Sequence, residues 1–335
     1  MRAIGLDFEA RRLSEFALPE PDEVGPGEVL LEVREVGLCG TDRELAEFHF
    51  GKPPDGERHL ALGHEALAEV VAVGSGVRLR KGALVSPLVR RPCPAQCLAC
   101  TRDRRDLCLT GDYVERGITG LHGYLRKFAV DSEPDLLEVP AELIDVAVLT
   151  EPLSVVEKAI ATAERVHVLG PRSALIVGAG PVGLLAALAS LARGWRTEVC
   201  SLEPPGHPNA RLAALAGARY SNDRPRESAD VVLECSGAEA GARLALDWLA
   251  PLGVAVLIGA TDFDVRFPGL RTVMQNQTVT GVVNASPEHF ATAIRDLARF
   301  DQVVLRGMIE RRPVSQWREA IAGPGGKAPK MVLAL

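Results

Sequence analysis

Residues Ala174–Val177 form an unbroken apolar run, and Gly178-Ala179-Gly180-Pro181-Val182-Gly183 follows at once, leading into an apolar stretch that ends at Arg193. A buried strand, a glycine turn and a helix in that order leave few folds open. The glycines allow the tight turn and let backbone N–H groups approach a pyrophosphate at the N-terminus of the helix. A lone Gly-x-Gly-x-x-Gly says little, but the flanking strand and the helix Val182–Arg193 supply the context that gives it meaning. Gly178, Gly180, Pro181, Val182 and Gly183 are therefore the expected cofactor-binding residues. Glu203 lies twenty residues beyond Gly183, at the end of a second strand, Thr197–Leu202. A carboxylate there can accept hydrogen bonds from the adenosine ribose hydroxyls, which favours NAD. It could equally be a solvated loop acid, and Arg196 and Arg211 are near enough in sequence to keep NADP open.

The alternation continues through strand-like runs at Asp230–Cys235, Val254–Gly259 and Thr278–Val283. Repeated β-α units imply a parallel, doubly wound sheet. Pro287–Phe300 has helical spacing in Phe290, Ile294, Leu297 and Phe300, and Lys330–Leu335 reads as a strand able to return to the first domain. The first 150 residues differ in texture. Val29–Val33 and Ala66–Val73 are strand candidates punctuated by Gly74-Ser75-Gly76 and Lys81-Gly82, the pattern of a small β-rich, barrel-like domain. The predicted class is thus α/β, with a β-rich domain at residues 1–155, a nucleotide-binding domain at 156–290 and a returning segment at 291–335.

The net charge of −6 points away from nucleic acid and anionic membrane surfaces. No signal-peptide pattern follows Arg2, and the longest apolar stretch, Val182–Ala192, is too short to span a bilayer. A cytoplasmic protein is expected. Among the seven cysteines, Cys93, Cys97, Cys100 and Cys108 cluster with the spacing Cys-x3-Cys-x2-Cys-x7-Cys. Without a secretory signal, four thiolates so close read as a closed, tetrahedral structural zinc site rather than as disulfides.

Cys39, in Gly37-Leu38-Cys39-Gly40-Thr41-Asp42, and His64-Glu65, after Gly63, add a thiolate, an imidazole and a carboxylate. These ligand types suit a zinc with one position open for chemistry. Each residue alone has a plainer reading: Cys39 as a buried apolar side chain, His64 as structural. His49, His59, His122 and His167 lack the adjacent acid that marks His64. Glu151, in Leu149-Thr150-Glu151-Pro152-Leu153-Ser154, is a fourth candidate ligand or a helix N-terminal acid held by the macrodipole. Thr41 could carry a proton from a substrate hydroxyl, or serve as a turn or cap residue before Asp42–Phe48.

Arg90-Arg91 before the cysteine cluster, Glu115–Tyr124 after it, and Leu149–Lys158 complete a pattern spanning nearly the whole chain. It resembles the zinc-containing medium-chain alcohol dehydrogenases, and within them the glucose dehydrogenase branch. The resemblance implies a GroES-like catalytic domain beside a Rossmann domain. It implies catalytic zinc on Cys39, His64 and Glu65, with Glu151 as a further, movable ligand, and structural zinc on the four clustered cysteines. It implies sugar contacts from Glu115, Glu157 and Asn284. Each of those also has a plain structural reading: a salt bridge, a helix-surface acid and a turn residue. The first cysteine gap is one residue longer than usual, and Val89 stands where some relatives carry asparagine. The implied reaction is hydride transfer from a sugar hydroxyl, the anomeric one of an aldose such as glucose, to NAD or NADP, giving a lactone. A polyol or aminocyclitol dehydrogenase is the nearest alternative, and a catalytically retired nucleotide-binding regulator a more distant one. A homodimer or homotetramer follows by the same analogy.

Overall fold

The computed structural model describes residues 1–21, 23–259, 264–323 and 326–335. The N-terminal part is built almost wholly of strands. In chain order these are β1 (Arg2–Asp7), β2 (Arg12–Ala17), β3 (Glu28–Gly37), then a short helix α1 (Gly40–Ala46), β4 (His59–Ala61), β5 (Glu65–Val73), β6 (Leu84–Pro87), β7 (Glu115–Arg116), β8 (Gly120–Leu121), β9 (Phe128–Ser132) and β10 (Leu136–Val139). β3 is the hub. It pairs antiparallel with β5 on one edge and with β9 along the start of the other. Val29, Leu31, Val33 and Val36 are buried, with inward positions alternating until a register shift between Val33 and Glu35. That alternation is what a strand half-buried on one face requires.

A long helix, α2 (Thr150–Val166), leads into the second part: β11 (Ser173–Val177), α3 (Pro181–Ala192), β12 (Arg196–Cys200), α4 (Pro208–Leu215), β13 (Arg219–Ser221), β14 (Ala229–Glu234), α5 (Glu239–Asp247), β15 (Leu249–Leu257), α6 (Gly269–Met274) and β16 (Thr278–Gly281). These strands make a parallel six-stranded sheet ordered β13-β12-β11-β14-β15-β16. β11 is fully buried, as a strand covered by helices on both faces must be. The chain then runs through α7 (Pro287–Leu297), α8 (Gln302–Gly307), β17 (Ile309–Pro313), α9 (Trp317–Ala322) and β18 (Lys330–Ala334). β17 and β18 return to the N-terminal sheet, β18 pairing antiparallel with the end of β3.

Two boundaries differ from the sequence expectation. A division at 155/156 would cut α2, which is continuous and carries its own buried face from Leu153 through Ala163. Return to the first sheet begins at β17, while Ala293, Ile294, Leu297, Val304 and Leu305 lie in a core shared by α2 and α3 with Leu67, Leu84 and Val139 of the first part. Among the described residues no helix is long and apolar enough to cross a membrane.

Candidate active site

β3 and β5 lie side by side with Gly37 opposite Glu65. A Cβ on Gly37 would fall 2.3 Å from Glu65 Oε2, so the glycine leaves room for the carboxylate to fold across the strand. Gly63, at φ +91°, turns the chain so that His64 and Glu65 follow in the buried start of β5. Cys39 caps α1 just beyond the end of β3. The result is a cluster in which ligand atoms of Cys39, His64 and Glu65 all lie within 4.8 Å of one another. Cys39 Sγ is 3.1 Å from His64 Nε2.

The surroundings suit a metal. Asp42 Oδ2 accepts from the Cys39 backbone N–H at 3.0 Å. Its Oδ1 and His64 Nδ1, both buried without a hydrogen-bond partner, face each other at 3.7 Å. A proton on Nδ1 aimed at that carboxylate leaves Nε2 free as a ligand, the usual arrangement around a metal-bound histidine. Burial works against a charge on His64, yet the Cys39 thiolate and the Asp42 carboxylate outweigh it and hold its pKa well above the ordinary value. Glu151 is pushed up to about 7, by burial first and by the Glu65 carboxylate next. Acids and a thiol crowd a space whose nearest fixed cation is Lys330. A divalent ion would relieve this crowding and reverse these tendencies. The donor set therefore fits zinc.

In the cysteine lobe the four thiols also converge within 4.8 Å. The extra residue in the first gap is absorbed by a turn, with Gln96 in the left-handed region at φ +47° and its N–H donating to Cys93 O at 3.0 Å. Backbone donors from Leu109 and Cys100 pull Cys97 down to about 6, toward the thiolate that binds metal.

At the other end of the site, Gly178 adopts φ +99° and Gly183 packs so closely that a Cβ would sit 2.0 Å from Gly178 O. Beside Gly180 that position is open, leaving the start of α3 free for a pyrophosphate. Ser201 Oγ accepts from Ala179 N at 3.1 Å and donates to Glu203, which ties this acid to the glycine turn. Arg196 begins β12, at the amino end of the sheet, and pairs with Glu227 at 3.7 Å, whereas the glycine turn lies at the carboxyl end. A cavity of about 490 Å³ opens between the two parts. Cys39, Thr41, His64, Glu65, Glu115, Glu151, Val182 and Asn284 all line it, together with the turns after β14 and β15. That crevice lies beyond the carboxyl ends of the parallel strands, at the switch point between β11 and β14.

Residues 25–141 match the alcohol dehydrogenase GroES-like domain, and residues 144–333 match the glucose dehydrogenase C-terminus. Glucose 1-dehydrogenase of Thermoproteus tenax is 42% identical over 302 residues, 86% of this chain and 84% of that protein. Glucose 1-dehydrogenase 1 of Caldivirga maquilingensis is 40% identical over 334 residues, covering 93% and 92%. The chain belongs to the glucose dehydrogenase branch of the zinc alcohol dehydrogenases. The solved structure of Haloferax mediterranei glucose dehydrogenase, in complex with NADP, Zn and gluconolactone, superposes with a TM-score of 0.91 at 29% identity, covering 100% of this chain and 99% of that one.

Within that family frame, Glu115 and Asn284 meet across the two parts. Asn284 Nδ2 donates to Glu115 Oε1 at 2.8 Å, and Arg90 Nε donates to the same oxygen at 2.9 Å. Arg90 is itself stacked on Tyr113 at 3.7 Å. Asn284 is held at φ +60°, a conformation that asparagine tolerates better than most residues.

Glu157 does not join them. It lies six residues after Glu151, about 240° around α2, and is buried against Arg193 at 2.6 Å. The residue that shares the Glu151 face is Val155, four positions on, and it lines the cavity. Four residues emerge that the sequence did not mark as functional. Lys330, 1% exposed, forms an ion pair with Glu65 and donates to Leu38 O at 3.2 Å. Asp42 braces Cys39 and His64. Asp106 and Lys158 pair at 2.7 Å, and Lys158 also donates to Val283 O at 2.9 Å, tying the cysteine lobe to the Asn284 turn. His122, by contrast, accepts from Ala61 N and pairs with Glu57, away from the metal ligands.

Proposed function

We propose that this chain oxidises the C1 hydroxyl of an aldose to a lactone with NAD(P) as hydride acceptor. The observation that carries the reading is the single cavity onto which the metal-ligand set, the carboxyl ends of the nucleotide-binding strands and the Glu115–Asn284 pair all face. Zinc held by Cys39, His64 and Glu65, with Glu151 on the wall of the same cavity as a further ligand, would supply a Lewis acid that makes a hydroxyl easier to deprotonate. The C1–H bond gives its electron pair to the nicotinamide, and the hydroxyl proton leaves for solvent. Thr41, on the cavity wall at the start of α1, is placed to receive that proton. Val182, Ile258 and the turn after β14 form the wall on which a nicotinamide ring can lie. Glu115 and Asn284 orient the sugar. Glu203, beside the glycine turn, is placed for the adenosine ribose, and Cys93, Cys97, Cys100 and Cys108 hold the structural zinc.

The reading is tested by following NAD(P)H absorbance with a panel of aldoses and polyols before and after chelation, together with metal analysis. The expected result is about two zincs per chain, aldose turnover above polyol turnover, and loss of both turnover and one zinc in Cys39→Ala. Full turnover in metal-free Cys39→Ala would sink it. A retired regulator is disfavoured because Cys39, His64 and Glu65 converge and Glu151 lines the same cavity. None of the seven cysteines is paired in a disulfide, which supports a reducing, cytoplasmic setting. A homodimer or homotetramer is supported by α6, where Leu270, Val273 and Met274 are exposed beside the edge strand β16. The working domain division is a catalytic part from residues 1–149 and 309–335, and a nucleotide-binding part from 150–308.

A further inference from the structure

The cavity lining mixes two kinds of side chain. Glu115 and Asn284 are polar, as are Thr41, Glu44 and Ser236; Val89, Ile118, Val155 and Phe50 are not. The hydrogen-bonding capacity of the Glu115–Asn284 pair is already partly spent. Glu115 Oε1 accepts from both Arg90 and Asn284, and Asn284 Oδ1 accepts from Ala285 N at 2.9 Å. What that pair has left for a sugar is the second oxygen of Glu115 and one N–H of Asn284. Val89 sits beside Glu115, its carbonyl already accepting from Arg116 N at 3.0 Å. Val155 stands one turn above Glu151 on α2. Neither side chain can replace the water that a hydroxyl gives up on entering.

An aldopyranose with its C1 hydroxyl at the metal brings further hydroxyls around its ring. Each one buried against an alkyl wall without a partner costs binding. Resting on the aldose reading above, we infer that the preferred substrate lacks a free hydroxyl on the edge that meets Val89 and Val155. Its chemical class is a deoxy or O-alkyl aldose with an intact C1 hydroxyl. The valine wall then packs against C–H groups, while Glu115 and Asn284 take the hydroxyls that remain.

The experiment compares kcat/KM of the zinc-loaded enzyme for glucose and for 3-, 4- and 6-deoxyglucose, with NAD and with NADP. 2-Deoxyglucose is left out because its missing hydroxyl adjoins the reacting carbon. At least one analogue is expected to exceed glucose by about ten- to hundredfold, the range over which an apolar pocket separates partners differing by one hydroxyl. Val89→Asn or Val155→Asn is expected to shrink that preference and raise glucose turnover. Zinc content and nucleotide affinity, measured alongside, should not change. Glucose exceeding all three analogues overturns the inference while leaving the aldose reading intact. So does a deoxy preference that neither valine substitution alters. If no aldose of either kind reduces the nucleotide, the aldose reading falls, and the inference falls with it.

Discussion

Lys330 shows what a residue far along the chain can contribute to a site whose ligands lie near its start. Its ammonium is buried, and burial alone would lower its pKa. The Glu65 carboxylate and the Cys39 thiolate overcome this and hold it charged. Removing one member of a buried pair leaves the other charge unmatched, at about 3–5 kcal/mol. Lys330→Met should therefore lower the stability of zinc-free protein to urea by about that much, and Lys330→Arg should recover part of it. Added zinc should narrow the gap between Lys330→Met and wild type, since a metal would supply the missing positive charge. An equal loss with and without zinc would show that Lys330 does not act through Glu65. The ligands Cys39, His64 and Glu65 were legible because their chemical types and glycine neighbours sit in two short runs. Lys330 was not, because only the pairing of β18 with β3 brings it there.

α2 displays the same lesson at the scale of an element. Glu151 and Val155 face the cavity, while Glu157 faces Arg193, just past the end of α3, and Asp296 on α7. A count of 100° per residue separates the faces, and reading Glu157 as a sugar ligand passed over that count. Its burial pushes the carboxyl up to about 7 despite the neighbouring Arg193, with Asp296 adding to the rise. The folded protein thus keeps a proton that the unfolded chain loses at ordinary carboxylate pH. Between those limits stability should fall as pH rises, since the native state binds more protons. Glu157→Gln should flatten that fall, seen as urea midpoints at pH 5 and pH 8 lying closer together than in wild type. A steeper difference in the variant would contradict the assignment. The sheets themselves were readable, because continuous apolar runs such as β11 and half-buried runs such as β3 have distinct signatures. The sequence signs for β3, β5 and β18 agree with the structure. The surroundings of α7 were not readable, because its apolar stripe meets a core to which both parts contribute, and a helix does not name its partner surface.

Over the whole molecule, the two parts meet through polar contacts as well as through a shared apolar core. Glu115 with Asn284, and Asp106 with Lys158 and Val283, cross from one part to the other beside the cavity. The apolar surface of α6 and the edge strand β16 face outward on the nucleotide-binding part. Replacing Val273, 73% exposed, by Asp should cost little in folding. If α6 lies in the subunit interface, Val273→Asp should shift the mass measured by light scattering toward the monomer. Unchanged mass would move the interface elsewhere.

β18 has one more consequence, in the order of synthesis. Lys330 is added to the growing chain 292 residues after Leu38, whose carbonyl it meets. While the ribosome is still making the nucleotide-binding part, the β3 edge that β18 will occupy is uncovered, and the acids and thiol of the candidate metal centre have no internal counter-charge. Only when nearly the whole chain is out can Lys330 supply that counter-charge from within the protein. A cell that withholds zinc during translation should therefore lose little, provided zinc is supplied once translation has finished.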